Sequence, residues 1–347
     1  MNESPVLPAH PKHFFMSQVI IGVHGLGNKP PALLLESWWR SSMKEGLRLG
    51  KYKFSLPLFE MAPWSDIIHK TSQDPSVEDP ESPYFIDEKY VEAQPDFHPG
   101  DYSTRKKVVD FLGRQMNRVF LNEDLTLNYS FITDAIISRY FSDLEIYYSE
   151  IPLETNGGLA TYREVIRKRL LDKLIEHRKD DIMLIGHSMG SIIAFDVLTF
   201  LAPEIRINTL VTMGSPLGLP VVISRIAAEM RQKGISDTRL KSPPGITGKW
   251  YNYADILDIV AFNYRLADYY DENSSGIKPV DHLVVNDYEF NNVRNPHKAY
   301  GYLRTPQFSA VLNEFISSGK LSVRERVMQW VLKTLYPFRK SPARITD

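Results

Sequence analysis

A serine between two glycines stands near the middle of the chain, in the segment GHSMG at residues 186–190. The pattern G-x-S-x-G is typical of a nucleophilic serine held at a tight turn between a strand and a helix. The apolar run at 182–185 predicts that strand, and residues 191–200 predict the helix. Glycines at the turn would relieve crowding around a strained serine. We therefore take Ser188 as the candidate nucleophile, with a simple helix cap as its alternative role.

Two backbone N–H groups are candidates for stabilising the oxyanion that forms when such a serine attacks an acyl group. One belongs to Met189, directly after the serine, and the other to Leu26 in the glycine-rich segment VHGLGN at 23–28. That segment could instead be an ordinary turn or a phosphate cradle, but it lacks the third glycine of a dinucleotide motif and the lysine of a P-loop motif. His24 and His187 flank these two elements and are expected to be structural.

An acid and then a histidine are expected to follow the serine along the chain. Two aspartates qualify in WYNYADILDIVAF, Asp255 and Asp258, and we favour Asp258 because an apolar run follows it. Either aspartate could instead cap a helix. Of the two later histidines, His282 lies in a predicted strand, whereas His297 lies in a loop rich in proline and glycine. An imidazole on such a loop can reach across the top of a sheet, so we favour His297 as the general base.

The segments that must position these residues alternate between strands and helices. This alternation predicts an α/β fold with a mainly parallel central sheet and helices on both faces. We expect a single domain over residues 1–347. The predicted strands lie within the segments 18–27, 53–64, 182–188, 208–218 and 249–262.

Residues 65–145 interrupt this alternation and are expected to form a cap or lid inserted in the domain. The first part is acidic and rich in proline and aromatic residues, and two amphipathic helices follow it. The aromatic side chains could line an acyl pocket or only pack at the surface, and both remain open. Residues 320–347 form a basic amphipathic tail, which could contact a membrane surface peripherally or dock on its own domain.

The composition argues against several other kinds of site and partner. The 347-residue chain has a formal net charge of −1, which gives no general attraction to nucleic acid. It contains no cysteine, and its histidines lack metal-ligand spacing, so we expect no metal and no cofactor. We find no signal-peptide pattern and no apolar run of about 20 residues, so the sequence predicts a cytoplasmic protein.

Taken together, these motifs resemble those of the α/β-hydrolase superfamily, specifically its lipase and esterase branch. The similar segments are VHGLGN, LIGHSMGSIIAFDVL, MGSPLG, DILDIV and NPHKAYGYL, spread over residues 18–317. The resemblance implies a serine hydrolase that cleaves a carboxylic ester of a small molecule or a lipid through an acyl-enzyme. Carried onto this chain, it implies the nucleophile Ser188, the acid Asp258, the base His297 and the oxyanion donors Leu26 and Met189.

Two alternatives to ester hydrolysis remain open from the sequence. An amidase, a thioesterase or an acyltransferase would use the same residues, because all of them form an acyl-enzyme. A non-catalytic α/β-hydrolase scaffold would use the fold only for binding, although every residue type needed for catalysis has a candidate in the expected chain order. The segment 65–145 carries no motif that identifies a substrate.

Overall fold

The computed structural model describes residues 17–86, 89–94, 100, 102–110, 121–122, 125–126, 142–155, 157–236 and 238–319. The predicted tail at 320–347 lies outside these residues, as does most of 111–141 in the predicted lid. Of the two helices predicted in the lid, the described parts, 103–110 and 142–148, are helical.

The described elements alternate between strands and helices along most of the chain. The helices are α1 (Ala32–Leu49), α2 (Ser65–Ile68), α3 (Ser142–Tyr148), α4 (Tyr162–Glu176), α5 (Met189–Asp196), α6 (Pro220–Gln232), α7 (Ala299–Leu303) and α8 (Pro306–Ser318). The strands are β1 (Gln18–Val23), β2 (Leu58–Met61), β3 (Pro152–Thr155), β4 (Gly158–Thr161), β5 (Asp181–His187), β6 (Ile207–Met213), β7 (Leu240–Lys241), β8 (Ile246–Asp255), β9 (Tyr270–Asp271), β10 (Pro279–Val284), β11 (Glu289–Phe290) and β12 (Val293–Arg294).

Six of the strands form one sheet in the order β10-β8-β6-β5-β1-β2, and every neighbouring pair is parallel. The short strands pair separately, β3 with β4 and β11 with β12 in antiparallel fashion, and β7 with β9 in parallel. A parallel sheet needs helical crossovers, which place helices on its faces. The predicted fold class, a mainly parallel sheet with helices on both faces, is confirmed.

Both faces of the sheet are buried, which explains why its central strands are continuous apolar runs. Alternate residues of β1 enter different cores: Val19 and Ile21 pack in one cluster, and Ile20 packs in the other. Helices α4, α5 and α6 contribute to the first cluster, and α1, α7 and α8 contribute to the second. The central sheet is therefore held rigidly from both sides.

A buried ionic network ties α3, at the end of the predicted lid, to the helix that follows Ser188. The Arg167 guanidinium on α4 donates to Asp196 Oδ2 (Nε, 3.1 Å) and to Glu229 Oε1 (Nη1, 2.9 Å). The Tyr147 hydroxyl on α3 also donates to Asp196 Oδ2, at 2.6 Å. Because Asp196 is fully buried, its charge depends on these partners.

Parallel strands all end at the same edge of the sheet, and this edge carries the candidate site. β1 runs into the loop that holds Leu26, β5 into Ser188, and β8 into the turn that holds Asp258. In an open α/β sheet, ligands bind outside the carboxyl ends of the strands. The fold thus brings together residues that are more than 200 positions apart in sequence.

Candidate active site

Ser188 occupies a strained backbone position directly between β5 and α5. Its φ of 53° and ψ of −127° lie in a region that residues with side chains rarely adopt. The backbone on both sides is fixed, because the Ser188 N–H donates to Met213 O (3.0 Å) and its carbonyl accepts from Ser191 N (2.9 Å). Backbone strain of this kind persists where the surrounding structure imposes it, and it clusters at active sites.

The two glycines of the motif are required by close packing around the serine. A Cβ atom at Gly190 would lie 2.1 Å from Val23 O, because α5 begins directly against β1. A Cβ atom at Gly186 would lie 2.8 Å from Gly190 O. Gly25, on the neighbouring loop, is equally constrained, since a Cβ atom there would lie 2.7 Å from the Ser188 Cβ. Only glycine fits at these positions without displacing backbone or the serine.

His297 and Asp258 form a hydrogen-bonded pair at the same edge of the sheet. His297 Nδ1 lies 2.9 Å from Asp258 Oδ2 and 3.0 Å from Oδ1. The carboxylate is buried and also accepts from the backbone N–H of Val260 (2.9 Å) and Ala261 (3.3 Å). Because a carboxylate only accepts, the proton between the pair is on Nδ1, which leaves Nε2 of neutral His297 as the basic nitrogen.

Asp255, the alternative acid, has a different set of partners. Its Oδ2 atom accepts from Arg294 Nη2 (2.9 Å) and from the Asn286 N–H (2.7 Å). Burial raises the pKa of Asp255, although these donors act in the opposite direction. The structure therefore places Asp258, and not Asp255, against His297.

The alternative histidine lies away from this pair. His282 is on β10, where its ring packs against Tyr251 and Tyr253 at centroid distances of 5.9 and 5.6 Å. It does not line the cavity that contains Ser188. The structure thus brings His297, and not His282, to the edge where the serine lies.

Ser188 and His297 line one cavity of about 660 Å³. Within the described part of the chain, the Ser188 hydroxyl has no hydrogen-bond partner, so it is not bonded to the imidazole in this structure. Catalytic hydrogen bonds are often long in the absence of substrate and shorten when it binds. The hydroxyl is buried, with Ser188 only 1% exposed.

His24 holds the loop that carries the Leu26 N–H. His24 Nε2 accepts from the backbone N–H of Trp64 (3.1 Å). The proton of neutral His24 is therefore on Nδ1, which donates to Gly25 O (2.9 Å). In a trans peptide the C=O and the following N–H point in opposite directions, so anchoring Gly25 O fixes the direction of the Leu26 N–H. Burial, and next the charge of Lys29, lower the pKa of His24 to about 3.

Further contacts hold the same loop from its other side. The Lys29 ammonium donates to the carbonyls of Leu26, Gly27 (3.1 Å) and Asn28 (3.3 Å). The Gly27 N–H donates to Asp143 Oδ2 at 2.6 Å, and Gly27 has a φ of 81°, which favours glycine. Leu26 lines the cavity beside Ser188, and its backbone N–H has no hydrogen-bond acceptor among the described residues. A preorganised donor of this kind can bind an oxyanion without reorganisation.

His187 connects the serine turn to the loop of the candidate base. Its Nε2 donates to His297 O at 2.6 Å, and the two imidazole rings lie 4.8 Å apart. Burial, followed by the proximity of His297, holds the pKa of His187 well below its ordinary value. His187 is therefore neutral at physiological pH and positions the backbone of His297.

The described residues contain one group with the spacing of metal ligands, Glu60, Glu176 and His177. The Lys173 ammonium lies 2.5 Å from Glu60 Oε2 and 3.0 Å from Glu176 Oε2, so these carboxylates already have a cationic partner. The group lies outside the lining of the serine cavity.

Within the described ranges, no helix is both long and apolar enough to cross a membrane.

Comparisons with known proteins identify the type of domain. A sequence model of the family described as PGAP1-like alpha/beta domain matches residues 100–237, which include the Ser188 turn. No curated protein matches. A solved structure, described as the structure of MenH from S. aureus, is 11% identical and covers 87% of this chain and 94% of that chain, with a TM-score of 0.28. The PGAP1-like match over residues 100–237, the parallel sheet and the turn that holds Ser188 together indicate an α/β-hydrolase fold.

Proposed function

We propose that this protein is a serine hydrolase that cleaves a carboxylic ester through an acyl-enzyme on Ser188. The observation that carries the proposal is the Asp258–His297 pair, whose imidazole lines the same cavity as Ser188. Nucleophile, acid and base occur along the chain in the order that accompanies the G-x-S-x-G turn. The strained serine backbone gives further support, because such strain is retained where function requires it.

In the proposed mechanism, His297 Nε2 takes the proton from Ser188 Oγ as the oxygen attacks the ester carbonyl carbon. Asp258 keeps the Nδ1 proton in place and stabilises the imidazolium that forms. The carbonyl oxygen becomes an oxyanion, for which we propose the N–H groups of Leu26 and Met189 as donors. His297 then returns its proton to the departing alcohol oxygen, and the acyl group stays on Ser188. Water attacks the acyl-enzyme through the same steps and releases the carboxylic acid.

The two oxyanion donors differ in how they are held. Met189 is the first residue of α5, so its N–H lies among the unpaired N–H groups at the helix start, where the helix dipole favours negative charge. The Leu26 N–H depends on the contacts of His24 and Lys29 with its loop. Loss of one oxyanion donor costs about 3 kcal/mol of transition-state stabilisation. Loss of the Leu26 donor should therefore lower the proposed rate by about 10²- to 10³-fold.

The cavity supports a small-molecule or lipid acyl ester as substrate. Its buried lining includes the apolar side chains of Leu35 and Trp39 beside Ser188 and buried histidines, whereas its partly exposed rim includes Asn28 and Gln73. The apolar side chains suit an acyl chain, and the polar rim suits the alcohol portion of an ester. A volume of about 660 Å³ lies within the range of small-ligand pockets.

The proposal is tested by hydrolysis of p-nitrophenyl esters of increasing acyl length. We expect wild-type protein to release p-nitrophenol and Ser188→Ala to lose at least about 10³-fold in kcat. Ser309→Ala is the matched control, because Ser309 is also fully buried but lies on α8, outside the cavity lining. It should keep wild-type rates.

Other outcomes of the same experiment separate the alternatives. Folded wild-type protein could release nothing from any ester but turn over the corresponding amides or thioesters. In that case the assignment of an ester substrate is wrong, while the proposed acyl-enzyme on Ser188 still holds. Equal residual rates in wild type and Ser188→Ala on every substrate would favour a non-catalytic scaffold.

A further inference from the structure

We propose that Tyr302 is a positioning residue of the acid–base pair, whose hydroxyl holds the Asp258 carboxylate in register with His297. The inference rests on the proposed function of that pair. Tyr302 lies on α7 and is fully buried, and no sequence motif singles it out. It is not one of the residues that line the cavity, and among the acid, the base and the nucleophile its hydroxyl bonds only Asp258.

The direction of the Tyr302 hydrogen bond is fixed by its neighbours. The Asp255 backbone N–H, which only donates, lies 2.8 Å from Tyr302 Oη. The hydroxyl therefore accepts from Asp255 and directs its own proton to Asp258 Oδ2, at 2.7 Å. Burial, and next the charge of Asp258, raise the pKa of Tyr302 well above its ordinary value. The phenol thus stays protonated and remains a donor throughout the working pH range.

This contact completes the set of donors to the carboxylate. Asp258 Oδ1 accepts from the backbone N–H of Val260 and Ala261, while Tyr302 bonds Oδ2. Each carboxylate oxygen thus accepts from at least one donor besides the imidazole, which fixes the plane of the carboxylate. His297 Nδ1 lies almost equally far from both oxygens. Without the hydroxyl, Oδ2 would retain only the imidazole as a side-chain donor among the described residues.

The hydroxyl also bears on the proton affinity of the pair. Hydrogen bonds to a carboxylate favour its charged form and spread that charge over the donors. Removal of the Tyr302 donor leaves more charge facing His297, which stabilises the imidazolium. A stronger phenol donor would have the opposite effect. The direction in which the proton affinity of His297 changes therefore distinguishes an electrostatic role of Tyr302 from a merely structural one.

The base His297 and the positioning residue Tyr302 belong to one continuous segment, because Tyr302 follows His297 by five residues. This segment is fixed to α1, since the Ser42 hydroxyl donates to Tyr300 O at 2.5 Å. Arg304, also buried, donates to Glu45 Oε2 at 3.1 Å. Both contacts hold α7 and the residue that follows it against α1.

Other charged or titratable groups also face the pair and contribute a constant background. His187 lies 4.8 Å from the His297 ring and 6.4 Å from the Tyr302 ring, between centroids. Asp255 lies on the far side of Tyr302 and is paired with Arg294. Lys298 follows His297 in the chain and, with Lys29, also acts on His187. A change at the Tyr302 hydroxyl does not alter the charges of these groups, although Tyr302→Phe also removes the acceptor of the Asp255 backbone N–H, which the fluorotyrosine variant keeps.

The test follows the His297 imidazole directly, by NMR titration of ¹³C-labelled histidine in the full-length protein. We expect Tyr302→Phe to move the titration midpoint of the His297 signal upward by about half a pH unit or more. Incorporation of 3-fluorotyrosine at position 302, a more acidic phenol, should move it downward. Tyr270→Phe is the control: that buried hydroxyl donates to Leu217 O at 2.9 Å, and its removal should leave the midpoint unchanged.

Unchanged midpoints in both Tyr302 variants would overturn the proposal, as would shifts of the same sign. If Tyr302→Phe does not fold, the fluorotyrosine variant alone decides. Where ester hydrolysis is observed, the acidic limb of the kcat/KM profile should move with the NMR midpoint. If wild-type protein proves inactive but the midpoints move in opposite directions as expected, the proposed function is wrong while the role of Tyr302 in the pair stands.

Discussion

His24 makes the stability of this protein depend on pH in a way that can be calculated. Both of its ring nitrogens are engaged: Nε2 accepts from the Trp64 N–H, and Nδ1 donates to Gly25 O. A second proton on Nε2 would face the Trp64 N–H and break this arrangement. The folded protein therefore requires neutral His24, and its pKa falls from 6.5 to about 3.

The sign and size of the effect follow from this shift. A histidine whose pKa is depressed by folding binds its proton more readily in the unfolded chain, so acid favours unfolding. The stabilisation is complete above about pH 6.5, declines as the pH falls, and is lost near pH 3. Each unit between the two values is worth about 1.4 kcal/mol, so His24 alone removes about 2 kcal/mol between pH 7 and pH 5. His187, whose pKa is also lowered, acts in the same direction.

Urea unfolding of wild type and His24→Asn at about pH 7 and pH 5 measures this contribution. The asparagine amide can still donate to Gly25 O but does not titrate. It leaves the buried Trp64 N–H without its acceptor, which lowers stability by about 1–3 kcal/mol at every pH. We expect the loss between the two pH values to be about 2 kcal/mol smaller in the variant.

The control for general destabilisation is Tyr270→Phe, which removes a buried hydroxyl without changing any histidine. It should unfold at lower urea but keep the wild-type dependence on pH. If His24→Asn loses as much stability between the two pH values as wild type does, the neutral, doubly bonded imidazole described above is wrong.

Three further predictions concern the site and its support. Gly25→Ala would place a Cβ atom 2.7 Å from the Ser188 Cβ, so kcat/KM for ester hydrolysis should fall at least about tenfold. The far-UV circular dichroism spectrum should stay native. Asp258→Asn should lower kcat by about 10³- to 10⁴-fold at neutral pH, whereas Asp255→Asn should chiefly lower the midpoint of thermal unfolding. If instead Asp255→Asn lowers kcat more and Asp258→Asn chiefly lowers the unfolding midpoint, the roles of the two aspartates are exchanged. Arg167→Met removes the closer of the two cations on buried Asp196 and leaves Arg163 at 3.4 Å, so it should cost about 3–5 kcal/mol in urea unfolding. A cost below about 1 kcal/mol would show that the Arg167 contact is dispensable.

The fold was predictable because its main signals are local. Apolar runs, with glycines where strands end, mark the positions of β1 and β5, and both faces of the resulting sheet are covered as expected. The glycines around Ser188 were equally readable, since each prevents a clash between neighbouring segments. Local patterns therefore suffice for the strands and for the serine turn.

The choice between the two aspartates depends on contacts between distant parts of the chain. Asp255 and Asp258 lie three residues apart in one turn, and both follow apolar segments. Their partners differ: Asp255 pairs with Arg294, 39 residues later, while Asp258 receives the Tyr302 hydroxyl, 44 residues later. No sequence spacing marks such contacts, and for this reason Tyr302 was missed.

His24 was read from the sequence only as a structural residue, and its specific role was not predictable. Its tautomer is set by the Trp64 N–H, which belongs to the segment after β2, 40 residues away. The dipeptide His24-Gly25 after an apolar strand was the available signal. That signal indicates a loop near the serine but gives no information on which nitrogen carries the proton.

The central claim is that Ser188 is a nucleophile activated by His297, and covalent labelling tests it most directly. Folded wild-type protein should react with a fluorophosphonate to give one adduct, located by peptide mass spectrometry on Ser188. Ser188→Ala should give no adduct, His297→Gln should react at least about 100-fold more slowly, and Ser309→Ala should react like wild type. Labelling of Ser188→Ala at the wild-type rate, or no labelling of the folded wild-type protein, would contradict the account.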